Sequence, residues 1–352
     1  MNAMVLAAGK GTRLFPLTGE IPKPMAPVAG KPIIQHIFEL LAEAEFEDIY
    51  VNVHYLADAL LETYRSATNV NGARIHMTRE DKLMRTAGSV KRIAERFEET
   101  FVVIMGDALT DVDVREVVCF HKERGALATL ALRRVADTSH FGVVELDYEQ
   151  NVVGFQEKPD PSEAMSDLAN TGIYVLEPEA LGYIPEGTFF DFAEDVFPRL
   201  LEAGEKIVGY EGDFYWSDIG NLDAYKAAQR DALSGRVRLK IPGERLERSL
   251  WVDQGSQLHP TATFEGRVLL GHDVMIGRGV TLIGDTMVGS DCWVRPGAIV
   301  KRSILLPGSS VGDGARLEDC ILGHGYNVRP GEQIRGGAFV RSTRSPSFSP
   351  QN

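Results

Sequence analysis

From Val252 onward an apolar residue returns at every sixth position: Val252, Leu258, Phe264, Leu270, Ile276, Leu282, Val288, Val294 and Val300. Hydrophobic residues make up 44% of the chain, so such a run would arise by chance at about one in a thousand, and the pattern is read as structural. After a slip of one residue, Leu305, Val311 and Leu317 continue it, while Gly271, Gly277 and Gly289 crowd the positions between. The repeat has a period of six, sustained over nine successive hexads. It is the signature of a β-helix of hexapeptide turns, in which each turn points one aliphatic side chain inward and the coils stack around a narrow core.

The preceding residues follow a different rule. Strand-like runs (residues 2–7, 48–53, 73–77 and 101–105) alternate with helix-like ones (32–44, 57–66 and 90–97). Short-spaced alternation predicts a parallel sheet covered on both faces. Hairpin-like strands at 126–133, 142–146 and 152–156 make it mixed, and a last helix is expected at 221–233. The expected fold is therefore α/β, a Rossmann-like doubly wound mixed sheet followed by a C-terminal hexapeptide-repeat, left-handed β-helix. The expected domains are a catalytic domain (1–235), a linker (236–250), the β-helix (251–335) and a disordered tail (336–352), rich in serine and proline.

Between the first strand and the first helix lies LAAGKGTRLFPLTGEIPKPM, in which small residues and cations crowd together. It is not a P-loop, and Leu14 stands where a dinucleotide fingerprint needs its third glycine. A third reading is a phosphate cradle, with backbone N–H groups exposed by small residues and fixed cations beside them. A net charge of −13 argues against nucleic acid as partner, but not against a small phosphorylated ligand. No run of apolar residues is long enough to span a bilayer, and the N-terminus lacks the pattern of a signal peptide, so a cytoplasmic location is expected. Cys119, Cys292 and Cys320 are too scattered for a disulfide framework and are read as packed thiols.

This segment, with GKPII following it, resembles the signature of the sugar-1-phosphate nucleotidyltransferases. Further segments match in order: Arg85-Thr86-Ala87-Gly88, Gly106-Asp107, Phe141-Gly142-Val143-Val144, Glu157-Lys158-Pro159, Asn170-Thr171-Gly172 and Trp216-Ser217-Asp218-Ile219-Gly220. The resemblance covers about residues 2–235, and a hexapeptide domain is a recurring companion in that family. It implies an enzyme that joins a nucleoside triphosphate to a sugar 1-phosphate and releases pyrophosphate, by in-line attack on the α-phosphorus with Mg²⁺. A phosphate monoester is already a nucleophile, so the demand is for positioning and charge neutralisation rather than a general base.

By that resemblance Ala7, Ala8, Gly9, Gly11, Thr12 and Arg13 bind the triphosphate. Arg13 and Lys23 act as catalytic cations, at the pyrophosphate and the α-phosphate respectively. Asp107 and Asp218, also counted as catalytic, hold the Mg²⁺ ion, whose preference is for hard oxygen ligands. Glu80, Thr86, Ala87 and Gly88 lie near the nucleoside. Gly142, Glu157, Lys158, Asn170 and Thr171 take the sugar phosphate. Trp216 packs behind Asp218, and His36 and His54 are structural. Arg85 departs from the family pattern, standing where glycine is usual. An arginine there is costly if the backbone needs a positive φ; alternatively it points outward or adds a phosphate contact.

Guanine offers two adjacent donors that a carboxylate can accept, and the segment before Thr86 holds Glu80 and Asp81 but no glutamine. The layout most resembles the mannose-1-phosphate guanylyltransferases, which implies GTP and mannose 1-phosphate as substrates. Three alternatives remain open. They are a glucose-1-phosphate enzyme using dTTP, UTP or ATP, a silent regulator that binds nucleotide sugar, and a bifunctional enzyme with acyltransferase activity at His259, His272 or His324. The β-helix is expected to mediate homo-oligomer formation.

Overall fold

The computed structural model describes residues 1–65, 68–247 and 249–341; of the expected disordered tail 336–352, residues 342–352 lie outside them, whereas Ala338–Phe339 form a strand parallel to Ile321–Leu322. The first elements are β1 (Asn2–Ala7), β2 (Pro27–Val28), β3 (Lys31–Pro32), α1 (Ile33–Glu43), β4 (Asp48–Val53), α2 (Ala57–Thr63), β5 (Asn69–Val70) and β6 (Ala73–Arg79). Next come α3 (Arg85–Lys91), β7 (Phe101–Met105), β8 (Leu109–Thr110), α4 (Val114–Arg124), β9 (Ala128–Arg134), β10 (Gly142–Leu146) and β11 (Val152–Glu157). The series ends with β12 (Leu168–Leu176), α5 (Phe197–Glu202), β13 (Ile207–Glu211), β14 (Trp216–Ser217) and α6 (Leu222–Ser234). Among the described residues no helix is long and apolar enough to cross a membrane.

The chain forms two compact units. One comprises Met1–Gly9 with Ile37–Asp218, the other Lys10–His36 with the chain from Ile219 onward. The linear division expected from the sequence therefore does not follow compactness. Residues 10–36 follow β1 in the chain but make their contacts with elements some two hundred positions later. The stretch expected as a linker is also partly ordered: residues 244–247 form a strand antiparallel to Leu250–Val252.

In the first unit the sheet runs β11-β10-β12-β7-β1-β4-β6-β5, with β9 joining β12 to β13. β1 is parallel to both β4 and β7, and β4 is parallel to β6. These strands carry near-continuous apolar runs because both faces are covered; Ala3, Val5, Ile49, Val51, Val103 and Ile104 are all buried. The chain leaves β1 for β4 on one side and returns to β7 on the other, so the direction of winding reverses beside β1. Such a switch point opens a crevice at the carboxyl ends of the strands. β12 is antiparallel to β7, with Ile173 opposite Ile104, which brings the start of β12 to that same edge.

In the second unit the expected register is found. Val252 lies beside Leu270, Val288, Leu305 and Leu322 in one parallel sheet. Leu258, Ile276, Val294, Val311 and Val328 line a second sheet, and Phe264, Leu282, Val300, Leu317 and Ile334 a third. The slip after Val300 is not a single event. Every later coil is one residue shorter, because the corner turned by Gly284 and Asp285 is turned next by Arg302 and then by Asp319, all but Asp285 with positive φ. Burial pushes the Cys292 thiol in this core up to about 11, and Cys320 is buried as well. Cys119 departs from the packed expectation: it is exposed on α4, whose inward face is made by Val114, Val117, Val118 and His121.

Glu318 ties three coils together, pairing with Lys301, Arg302 and Arg335. Hydrogen bonds from Lys301, Arg335 and Arg302 lower its carboxyl from 4.5 to about 2. A carboxyl lowered on folding stabilises fully above its ordinary value and loses that contribution as pH falls through the folded one. Between pH 4.5 and 2 the melting temperature of the wild type should therefore fall further than that of Glu318→Gln. In the same core Leu282 is fully buried, and Leu282→Ala should cost about 2–5 kcal/mol, read as a lower denaturant midpoint.

Candidate active site

The carboxyl edge of the first sheet gathers most of the residues singled out in the sequence. β1, β4, β6 and β7 end there at Ala7, Val53, Arg79 and Met105. Ala7 and Ala8 are buried, whereas Gly9 is exposed with open space where a side chain would stand. Beside β1, the Gly106 N–H donates to Leu6 O at 2.9 Å, and Asp107 follows, half-buried.

Asp218 reaches this edge by a separate route. β14 is antiparallel to β8, with Ser217 opposite Leu109 and Trp216 opposite Thr110. Asp218 directly follows β14, and Asp107 stands two residues before β8. The ladder is reinforced on its far side. The Tyr215 N–H donates to Asp111 Oδ1 at 2.7 Å, and Thr110 Oγ1 donates to Tyr215 O at 2.8 Å. The two carboxylates thus flank the same end of a short ladder, both half-buried, and carboxylate oxygens are hard donors of the kind a divalent cation such as Mg²⁺ accepts. Trp216, two residues before Asp218, is half-buried. Its Nε1 donates to Thr171 O at 3.0 Å, and its ring meets Phe141 edge-on at 5.0 Å.

Phe141 leads to the third group. Gly142 pairs with Glu157 across β10 and β11, and the Lys158 N–H donates to Phe141 O at 3.1 Å. Lys158 has a φ of 44° and pairs through Nζ with Glu157 Oε1, both side chains remaining about half exposed. Asn170 and Thr171 lie at the start of β12. Thr171 is buried and its hydroxyl donates to Ala131 O at 2.7 Å, while Asn170 Oδ1 accepts from Gly172 N at 3.0 Å. The Thr171 hydroxyl is thus engaged by the strand itself.

Residues 84–88 are zipped to residues 188–194. The amides of Ala87 and Gly88 both donate to Phe190 O at 3.0 Å, and the Phe190 N–H donates to Met84 O. Thr86 Oγ1 donates to Asp191 Oδ2 and accepts from Phe192 N, each at 2.9 Å. A Cβ on Gly88 would lie 2.5 Å from Thr188 O, so glycine is required there by close packing within the protein. Arg85 resolves the question its sequence position raised. Its φ is 60°, the left-handed conformation that favours glycine. The guanidinium turns away to grip both oxygens of Glu194 at 2.5 Å and stands 5.5 Å from the Phe189 ring centroid. These hydrogen bonds hold the Glu194 carboxyl below the usual range.

Glu80 and Asp81 part company. Asp81 is exposed. Glu80 is buried, with one oxygen accepting from Asn52 Nδ2 at 3.1 Å and its backbone carbonyl bound to His54 Nδ1 at 2.7 Å. Arg92 stands 3.9 Å from the same side-chain oxygen. The other oxygen, Oε2, is buried and has no hydrogen-bond partner among the described residues. Asn52 was not anticipated; its only signal was a polar residue near the end of the apolar run DIYVNV.

Gly11, Thr12, Arg13 and Lys23 belong to the second unit. Thr12–Leu14 form one 3₁₀ turn and Lys23–Met25 another. Gly11 has a φ of 60°, and a Cβ there would lie 2.7 Å from Lys23 Cβ, so this glycine lets the two turns meet. Thr18 Oγ1 closes the loop by donating to Gly11 O at 2.9 Å. Arg13 and Thr12 are exposed, while Lys23 is buried. The loop is anchored by α6: Tyr225 Oη and Gln229 Nε2 donate to Pro27 O at 2.6 and 2.5 Å, and Gln229 Oε1 accepts from Ala29 N. His36 is structural, bonding Val28 O at 2.9 Å. On the β-helix, His272 lies with Asp273 and Asp291 in an exposed group, His259 bonds Thr261, and burial lowers His324.

Comparison with known proteins identifies the family of each part of the chain. Residues 2–235 match the family model described as nucleotidyl transferase, and residues 265–338 match the GlmU-like C-terminal hexapeptide model. A UTP–glucose-1-phosphate uridylyltransferase of Synechocystis is 38% identical over 93% of this chain and 88% of its own length. A mannose-1-phosphate guanylyltransferase of Mycobacterium tuberculosis is 33% identical over 86% of this chain and 83% of its own. The crystal structure of HddC from Yersinia pseudotuberculosis complexed with GMP-PN superposes with a TM-score of 0.57 at 24% identity, covering 66% of this chain and 99% of that one; it shares the fold. Within the zipped segment, Gly88→Ala should cost about 1–3 kcal/mol by overpacking, seen as a lower thermal midpoint, whereas Gly9→Ala should leave the midpoint unchanged.

Proposed function

Given that the chain belongs to the nucleotidyl transferase family as a sugar-1-phosphate nucleotidyltransferase, we propose that it joins GTP to mannose 1-phosphate, yielding GDP-mannose and pyrophosphate. The observation that carries the choice of base is the buried, unpartnered Oε2 of Glu80. A carboxylate only accepts. Guanine presents two N–H donors side by side, whereas uracil and thymine present one donor flanked by carbonyl oxygens, which a carboxylate repels. A second reading, UTP with glucose 1-phosphate, is favoured by the 38% identity to the Synechocystis uridylyltransferase.

In the reaction a phosphate oxygen of the sugar phosphate forms a bond to the α-phosphorus. The bond from that phosphorus to the bridging oxygen breaks, and pyrophosphate leaves with the electron pair. No proton has to be removed first, so the work is to hold two anions together. Lys158 is assigned to the sugar phosphate and Glu157 to ring hydroxyls, with Gly142 leaving room beside them and Asn170 and Thr171 forming the adjoining wall. Arg13 suits phosphate oxygens through its planar fork and is assigned to the leaving pyrophosphate, Lys23 to the α-phosphate. Ala7, Ala8, Gly9, Gly11 and Thr12 give close backbone approach to the triphosphate. Thr86, Ala87 and Gly88, whose polar groups are already engaged, contribute shape near the nucleoside. Asp107 and Asp218 would hold Mg²⁺, which when bound supplies positive charge that tempers the repulsion between the substrates. We assign the β-helix to self-association and the enzyme to the cytoplasm.

The test is pyrophosphate release with Mg²⁺ across GTP, UTP, dTTP, ATP and CTP, each paired with mannose-, glucose-, galactose- and N-acetylglucosamine-1-phosphate. GTP with mannose 1-phosphate should dominate; dominance of UTP with glucose 1-phosphate would establish the second reading instead. Asp218→Ala should lose at least about a hundredfold in turnover with an unchanged circular dichroism spectrum, and normal turnover would refute the metal assignment.

A further inference from the structure

We infer that Asn52 is a positioning residue for base selection, acting through Glu80. The inference rests on the reading of Glu80 as the group that meets the base. Asn52 is buried near the end of β4 and joins two neighbouring strands. Its Oδ1 accepts the Ala7 N–H at 2.9 Å, at the last residue of β1, and its Nδ2 donates to Glu80 Oε1 at 3.1 Å, just past β6.

This arrangement has a definite polarity. An amide has one acceptor end and one donor end. The Ala7 N–H can only donate, so it takes the oxygen of Asn52, and the NH₂ must then face Glu80. One carboxylate oxygen is thereby fixed, with the charge of Arg92 3.9 Å away. The other oxygen is left buried and unpartnered. Leaving a buried acceptor unmatched is costly, and the strand ends that surround it form the edge where a doubly wound sheet receives its ligand. A ligand that donates N–H to Oε2 removes that cost, and one that presents a carbonyl there increases it. Asn52 sets which of the two carboxylate oxygens is spoken for, and so holds the discriminating one in place without touching the base.

The variant that separates positioning from simple structural support is Asn52→Asp. Aspartate keeps an acceptor for the Ala7 N–H but has no donor for Glu80, and it sets a second negative charge against it. The measurement is kcat/KM for GTP and for UTP with the full-length enzyme, together with KM for the sugar phosphate and the melting temperature. Asn52→Asp should change the GTP-to-UTP ratio by about tenfold or more while KM for the sugar phosphate stays within about twofold. The exchange variant Asn52→Asp with Glu80→Gln restores a donor between the two positions. It should recover the melting temperature if the single variant loses it, but not the original ratio. An unchanged ratio in Asn52→Asp, with a changed ratio in Glu80→Gln alone, overturns the role of Asn52 and leaves that of Glu80 standing. An unchanged ratio in both overturns the reading of Glu80 and the inference with it.

Discussion

Parallel pairing of β1 with β4 on one side and β7 on the other is the constraint on which the first unit depends. Because the three strands run the same way, their carboxyl ends fall on one edge, and the residues that follow them are brought together whatever their separation in the chain. Ala7, Asn52, Glu80 and Asp107 meet there for that reason. The antiparallel additions serve the same edge: β12 begins beside the end of β7, and the β8–β14 ladder sets Asp107 and Asp218 at its same end. Which residues share that edge follows from strand direction and register, which long apolar runs such as FVVIM enforce by burial on both faces.

Much of this was legible in the sequence, because side-chain periodicity is a local property. The hexad register is readable in the correct frame from Val252 to Val300. The alternation of strands and helices before it also falls close to the observed elements, as Asp48–Val53 and Phe101–Met105 show. What escaped depends on contacts between distant residues. The single slip after Val300 proved to be a repeated shortening of one corner, which only the stacking of successive coils reveals. Asn52 could not be distinguished from any polar residue in a strand, since its meaning lies in the orientation forced by the Ala7 N–H. Arg85 could be questioned from sequence but not answered. Its positive φ is accepted because Glu194, more than a hundred residues on, takes both ends of its guanidinium.

The segment 84–88 illustrates how one pattern can have two causes. Small residues in the first turn of a helix suit close approach of a nucleotide, but here Gly88 is already required by Thr188 O, and its amide and that of Ala87 are bound to Phe190 O. The rigidity of that seam is itself useful. A wall whose donors are satisfied internally keeps its shape, because moving it would break several hydrogen bonds at once.

The allegiance of Lys10–His36 bears on how such a chain can be recombined. This segment is held by Tyr225 and Gln229 of α6, and Glu20 within it accepts the backbone N–H of Arg341 at 3.0 Å, on the last described coil. A cut near residue 235, the natural place to graft one relative's hexapeptide coils onto another's sheet, would part the glycine-rich loop from the coil that supports it. The loop and the coil's final turn therefore form a structural pair. A chimera that exchanges one without the other begins with a mismatched joint at Glu20, although every residue assigned to the substrates is present.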